Sequence, residues 1–150
     1  MQYRFTSDGP LNGHAVGNLL LAALWDKDVD PVQGLNRVAE LLKVVGRVLP
    51  MASVPLDIEA TFDDAGTLHH VRGQVEVATA RGMLKSLHLV PENPTALPSA
   101  LEAIDEAEWI TVGPGSWFSS VLPHFLVGEQ LNALEKSAAK KIIILNLDSH

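Results

Sequence analysis

Two segments in the first third of the sequence repeat their apolar positions with the period of a helix. In residues 14–26 small and aliphatic side chains form the repeat: Ala15, Leu19, Ala22 and Ala23. Because residues 19–24 are apolar on every side, we expect this helix to be buried all round. A second helix is predicted to run from Pro31 to Gly46 with Asp30 as its N-cap, since aspartate before proline is a typical helix start. Its apolar stripe consists of Leu35, Val38, Leu41 and Leu42.

Alternation of apolar and polar residues, the pattern of β-strands, dominates the middle of the chain. Strands are predicted over residues 3–5, 47–49, 54–62, 71–78 and 85–90. Residues 63–66, Asp-Asp-Ala-Gly, are expected to turn the chain between the third and fourth of these strands. That turn predicts an antiparallel hairpin whose second strand is half exposed.

The last third combines strands with helices. A helix is predicted over residues 98–107, with Leu101 and Ile104 facing inward, and a short strand over 109–112. A helical region should begin at Ser119 or Ser120 and continue to about residue 137, with breaks at Pro123 and Gly128. Residues 141–147 predict a strand, and the apolar run 142–145 is typical of a central parallel strand covered on both faces. This order predicts an α/β fold containing a right-handed strand–helix–strand crossover.

Composition narrows the classes of function. The chain has 150 residues, of which 47% are hydrophobic and 19% charged, so it can bury a core of single-domain size. Its net charge of −7 excludes nucleic acid as an expected partner, because a phosphate backbone is held by general positive charge. A small phosphorylated ligand is still compatible, since backbone N–H groups can bind it locally.

The sequence has no cysteine. Disulfides, thiolate catalysis and cysteine-ligated zinc are therefore excluded. The apolar run 19–25 is much shorter than a membrane span, and residues 1–5 lack the layout of a signal peptide. We expect a soluble, cytoplasmic protein without a membrane partner.

The strongest chemical feature is the loop of residues 112–116, Val-Gly-Pro-Gly-Ser, which follows the predicted strand 109–112. Glycine allows a phosphate to approach the backbone, the helix that follows supplies unpaired N–H groups, and Ser116, Ser119 and Ser120 add hydroxyl donors. The alternative is a tight turn with serine caps, and the pattern alone does not separate the two. The spacing matches neither a Walker loop nor a dinucleotide fingerprint.

Other polar features have structural explanations at least as good as functional ones. Asn18 enters an apolar helix after Gly13 and Gly17, where it would cap the backbone or bind a ligand. The pair His69-His70 is expected to be solvated at the hairpin, and no residues have the spacing of metal ligands. The carboxylates of the hairpin are also expected to be exposed: Asp57, Glu59, Asp63 and Asp64. No nucleophile–base pair is evident.

Three blocks of the sequence resemble the YvcK-type gluconeogenesis factors, which share a superfamily with the CofD-like 2-phospho-L-lactate transferases of coenzyme F420 synthesis. The blocks are residues 13–24 (GHAVGNLLLAAL), 46–50 (GRVLP) and 112–123 (VGPGSWFSSVLP). The resemblance implies a Rossmann-like, mainly parallel sheet with flanking helices and an inserted antiparallel hairpin. It also implies a cytoplasmic regulatory protein that binds a nucleotide or UDP-sugar and is linked to cell shape and cell-wall precursor supply. The sequence itself indicates no required cofactor or metal.

The resemblance places the ligand at the glycine-serine loop, with Asn18 lining the same cleft. The implied ligand-binding residues are Gly113, Pro114, Gly115, Ser116, Ser119, Ser120, Asn18 and His14. The transferase branch binds GDP and typically has Gly-Pro-Ser-Asn-Pro in this loop. The Gly-Pro-Gly-Ser-Trp of residues 113–117 therefore favours the branch that is not a transferase.

The resemblance covers the central half of the usual family length. Family members have a glycine-rich unit before the position of Tyr3 and a Pro-Gly-Glu-Thr loop after that of Asn146, and the resemblance includes neither. We therefore expect residues 1–150 to be a partial domain of a longer protein or gene. Two alternatives stay open. One is a phospholactyl-type transferase, whose metal and catalytic carboxylate would come from outside this region. The other is an oligomerising fragment without a ligand, so homo-oligomer formation is left open.

Overall fold

The structure is a computed structural model that describes residues 2–27 and 30–146. It divides into two compact units, Met1–Pro50 and Met51–His150. The single partial domain expected from the sequence stays a prediction beside this division. No helix within the described residues is both long and apolar enough to cross a membrane.

The first unit contains two helices, α1 (Val16–Lys27) and α2 (Pro31–Leu42). The predicted start of α2 is confirmed, because the Asp30 carboxylate accepts a hydrogen bond of 2.9 Å from the backbone N–H of Val32. Its predicted end at Gly46 is wrong. Lys43 takes the left-handed conformation (φ 50°) and closes the helix three residues earlier through N–H bonds to the last turn.

Helix α1 is not buried all round, contrary to the prediction. Gly17 is its buried residue, and Trp25 near its end is 44% exposed. Trp25 packs on Gly34 of α2, where an added Cβ would lie 2.9 Å from the indole ring. A helix that is apolar on every side can be buried all round. Whether it is buried depends on how many neighbouring elements pack against it. Residues 3–5 form only a single bridge, between Arg4 and Ala15, and residues 47–49 form no strand.

The second unit contains an antiparallel sheet of β1 (Asp57–Asp64), β2 (Thr67–Arg72) and β3 (Met83–Val90) in the order β2-β1-β3. The predicted hairpin is confirmed at Ala65 and Gly66, which both have positive φ (51° and 90°). Asp63 stabilises this turn because its carboxylate accepts a 2.8 Å hydrogen bond from the Gly66 N–H.

The strand predicted over residues 71–78 is wrong beyond Arg72. Gly73, with φ 110°, ends β2, and residues Gln74–Thr79 form helix α3. Val75 and Val77 would share one face of a strand, yet Val75 is 69% exposed and Val77 only 1%. The alternating pattern therefore matched a strand by coincidence, and packing of Val77 into the core selected the helix.

The core lies on one face of this sheet. Ile58, Ala60 and Phe62 alternate along β1 and are buried with Val77, Leu89, Ala96 and Val127. The opposite face carries Asp57, Glu59 and Asp63, which are partly exposed, and Asp64 at the end of β1 is exposed. Arg72 holds the pKa of Asp57 below its usual value by a 2.6 Å hydrogen bond. The pKa of Asp63 is also lowered, mainly by the hydrogen bond from the Gly66 N–H and next by the one from Lys85.

The last part of the second unit pairs β4 (Trp109–Val112) with β5 (Lys140–Ile143) in parallel. Between them lie a π-helical turn (Trp117–Val121), α5 (Leu122–Leu126) and α6 (Gly128–Lys136), and α4 (Pro98–Asp105) precedes β4. Within the described ranges, parallel pairing is confined to this pair. The α/β fold is therefore confirmed, whereas the mainly parallel sheet is confirmed only in part.

Two expectations for this region are corrected. Pro123 does not break the helical segment, which continues from the π-helical turn into α5 with Pro123 in the first turn of α5. Strand β5 is not covered on both faces, since Ile142 and Ile143 are 44% and 62% exposed. Within residues 2–27 and 30–146 it has one strand neighbour, so most of its apolar run stays uncovered. Residue 147 of the predicted strand lies outside the described residues.

Candidate functional site

The candidate loop begins where β4 ends. Gly113 has φ 91° and approaches β5 so closely that an added Cβ would collide with the carbonyl oxygen of Ile144. The two strands are held together at this point by a 2.8 Å hydrogen bond from the Ile144 N–H to the Val112 carbonyl. Glycine is therefore required at position 113 both for its backbone conformation and for this close approach.

Beyond Gly113 the loop has hydrogen-bond donors that are not paired with other groups of the described residues. The carbonyl of Ser116 accepts hydrogen bonds from Ser120 N–H (2.9 Å) and Val121 N–H (3.1 Å), which starts the π-helical turn. The Ser116 side chain makes no capping bond. Within the described ranges, the N–H groups of Gly115 and Ser116 donate to no protein acceptor. A turn closed by serine caps, the alternative from the sequence, would have engaged the Ser116 hydroxyl.

A cleft of about 300 Å³ lies beside this loop. Three of the residues predicted from the sequence line it: Gly113, Pro114 and Ser120. Gly115 packs against Ser120, where an added Cβ would lie 3.4 Å from the serine Cβ. Ser119 is 5% exposed, and its carbonyl accepts a 3.4 Å hydrogen bond from the Gln74 side chain. The loop and the π-helical turn therefore bring part of the predicted set together, whereas Ser119 belongs to the packing beneath it.

The other two predicted residues, His14 and Asn18, belong to the first unit. His14 is exposed before α1, and its backbone bonds to Leu11 and Phe5 close the preceding loop. Asn18 is exposed in the first turn of α1, so its amide is solvated and the expected cost of burying it does not arise. That Asn18 lines the same cleft as the loop stays a prediction.

Two further residues of the cleft were not predicted from the sequence. His124 of α5 and Gln130 of α6 both line it, and Gln130 Nε2 lies 2.9 Å from His124 Nδ1. Partial desolvation lowers the pKa of His124, although the residue is exposed, and this favours the neutral imidazole. No local pattern identifies the pair, because the residues lie on two helices separated by the break at Val127.

The remaining histidines of the described ranges belong to no cluster of metal ligands. His69 and His70 are exposed as expected, and His70 Nδ1 lies 2.9 Å from the hydroxyl of Thr61 on the neighbouring strand. No group of three or more potential metal ligands occurs within the part of the chain that the structure describes. The chemistry available near the loop is therefore hydrogen bonding by amides, hydroxyls and one neutral imidazole.

Comparisons with known proteins agree with the resemblance of the three sequence blocks. The chain is 42% identical over 151 residues to a putative gluconeogenesis factor of Mycobacterium tuberculosis, and this match covers 98% of the chain and 44% of the relative. The gluconeogenesis factor of Listeria monocytogenes is 36% identical over 146 residues, covering 97% of the chain and 44% of the relative. The chain thus spans less than half the length of these relatives.

A solved structure and a family model extend the agreement to the fold. The crystal structure of a UPF0052 family protein from Bacillus halodurans superposes with a TM-score of 0.82 at 35% identity, covering 95% of this chain and 45% of that one. The family model described as 2-phospho-L-lactate transferase CofD matches residues 1–149. Since that match spans nearly the whole sequence, the chain belongs to the CofD family.

Proposed function

We propose that this chain carries the phosphate-binding loop of a cytoplasmic, nucleotide-sugar-binding regulatory protein of the gluconeogenesis-factor type. The observation that supports it is the unused pair of N–H groups at Gly115 and Ser116, at the carboxyl end of β4 and beside a cleft. In open parallel sheets, ligands bind outside the carboxyl ends of the strands. The Rossmann-like arrangement implied by the family is part of the proposal.

The binding chemistry is local and does not need a basic surface. Two backbone N–H groups and the Ser116 hydroxyl supply donors, and the following helical segment, Trp117 to Leu126, directs the positive end of its dipole toward the loop. Because these donors act over hydrogen-bond distances, they can hold a diphosphate on a chain whose net charge is −7. The link to cell shape and cell-wall precursor supply follows, in this proposal, from a UDP-sugar as the regulatory ligand.

Isothermal calorimetry with UDP-N-acetylglucosamine tests the proposal on the 150-residue chain and, in parallel, on a full-length relative. We expect Ser116→Ala to weaken binding several-fold and Gly115→Val to abolish it, because the first removes a donor and the second strains the loop backbone (φ 156°) and crowds Ser120. Ser86→Ala is the matched control, since this serine lies on β3 away from the loop. Equal heats for wild type, Ser116→Ala and Gly115→Val would refute the proposal.

A second candidate is a phospholactyl-type transferase, and the match to the 2-phospho-L-lactate transferase CofD family supports it. It would use a GDP-linked phospholactyl donor, with a metal and a catalytic carboxylate supplied from outside residues 1–150. Turnover of that donor by a full-length relative would support this candidate. Intact nucleotide binding without turnover would remove it.

The exposed apolar run at β5 supports a third candidate, an oligomerising protein without a ligand. Ile143 and Leu145 are 62% and 67% exposed, and such a surface favours association. Sedimentation at increasing concentration would reveal self-association. A monomer at all concentrations would exclude it.

A further inference from the structure

One buried side chain of the cleft has a polar atom without a partner. Gln130 is 8% exposed, and while its Nε2 is paired with His124 Nδ1, its Oε1 has no hydrogen-bond partner among the described residues. Polar atoms in protein interiors are almost always paired, because removing them from water is costly. An apolar side chain would fit this position at lower cost, and Gln130 lines the cleft, so its amide is a group that a ligand in the cleft can pair with once the side chain turns toward it.

The Gln130–His124 pair offers at least one donor and one acceptor in either orientation of the amide. If Nε2 donates to His124 Nδ1, the amide oxygen is left to accept and the imidazole Nε2–H to donate. If the amide is turned over, its NH₂ is left to donate and the imidazole Nε2 to accept. Because the imidazole is neutral, it keeps one N–H and one lone pair in both cases. The complementary ligand group therefore carries a donor and an acceptor side by side.

The rest of the cleft suits a flat ring rather than a sugar. Most of the side chains around the pair are apolar, among them Ile104, Ile110, Phe125 and Leu134, with Thr111 as a polar neighbour. A ring bearing several hydroxyl groups would place some of them against these apolar side chains without partners. A nucleobase presents apolar faces and one hydrogen-bonding edge, and the volume of about 300 Å³ is at the lower end of ligand sites, enough for one part of a ligand.

The same cleft also includes Gly113, Pro114 and Ser120, so the start of the loop and the pair border one space, and Gly115 and Ser116 follow next in the chain without lining it. We propose that Gln130 and His124 bind the hydrogen-bonding edge of the nucleobase, while the loop at residues 113–116 holds the phosphates of the same nucleotide. This inference rests on the proposed function and assigns the selection of the base to two specific residues.

Calorimetry with three probes separates the two parts of the site. UDP and GDP carry both base and phosphates, whereas inorganic pyrophosphate carries the phosphates alone. We expect Gln130→Met to weaken binding of the better nucleotide at least tenfold and to change pyrophosphate binding less than twofold. Ser116→Ala should weaken both, and Gln33→Met, an exposed glutamine on α2, should change neither.

Two readouts guard against a purely structural effect. Thermal unfolding without ligand should show Gln130→Met at least as stable as wild type, because the variant removes an unpaired buried oxygen. In wild-type protein, the side-chain amide resonances of Gln130 should shift on addition of UDP or GDP but not of pyrophosphate. Three results would overturn the inference without affecting the proposed role of the loop. They are an unchanged nucleotide affinity in Gln130→Met, an equal weakening of binding for all three probes, and Gln130 amide resonances that do not shift when UDP or GDP is added. Absence of binding by every probe would overturn the proposed function as well.

Discussion

Replacing Gly113 by alanine tests whether the end of β4 is built as described. The variant meets two obstacles, a backbone with φ 91° and a Cβ that collides with the Ile144 carbonyl. A non-glycine residue held in a sparsely populated backbone region costs about 1–3 kcal/mol. Moving Ile144 also weakens its 2.8 Å hydrogen bond to Val112, worth about 1 kcal/mol. We therefore expect a loss of about 2–4 kcal/mol in the free energy of unfolding.

Urea unfolding followed by tryptophan fluorescence measures this loss, because Trp109 lies on β4 and Trp117 directly follows the loop. Gly128→Ala is the matched control. An added Cβ there has no atom within 4 Å, and alanine favours a helix over glycine by up to about 1 kcal/mol. The reasoning is refuted if Gly113→Ala unfolds at the same urea concentration as wild type, or if the control loses as much stability.

Two further predictions concern parts of the chain outside the site. Asp30→Ala should lower stability by about 1 kcal/mol and reduce the helical circular dichroism signal, because the Val32 N–H loses its cap; Asp30→Asn should retain most of it, and equal losses would contradict the cap. Arg72→Met should raise the pKa of Asp57 in an NMR titration, since the hydrogen bond from Arg72 is the largest cause of its lowering. A carboxylate with a lowered pKa stabilises the fold above its unfolded pKa and loses that contribution as the pH falls through its folded pKa. The variant should therefore lose less stability on acidification, and an unchanged Asp57 titration would contradict this.

Local chemistry explains which elements were predictable. The hairpin turn depends on Ala65 and Gly66 and on the hydrogen bond that the Asp63 carboxylate accepts from the Gly66 N–H. The start of α2 depends on Asp30. Each involves residues no more than three positions apart, so the sequence contains the whole cause. The segment after Arg72 was not predictable in this way. Its alternation suits a strand, and the helix was selected by burial of Val77 against distant parts of the chain.

In the candidate site, too, the features that depend on neighbouring residues were predictable and those that depend on packing were not. The glycine-serine loop was visible because it follows a short apolar strand directly, and the structure places Gly113, Pro114 and Ser120 beside a cleft. The pairing of Gln130 with His124 was not visible. The break between α5 and α6 was predicted at Gly128 and occurs there, but the sequence does not specify how the two helices pack across it or that Gln130 meets His124.

The sequence by itself determined where the chain turns, where α2 starts and where a strand opens into the loop at 113–116, because these features follow from backbone preferences and hydrogen bonds between near neighbours. The tertiary structure decided how much of each apolar segment is covered, and so left Trp25 and Ile143 partly exposed. It also decided which polar groups meet in the cleft. Burial and pairing depend on elements that pack from elsewhere in the chain, and a pattern of residue types does not specify their number or position.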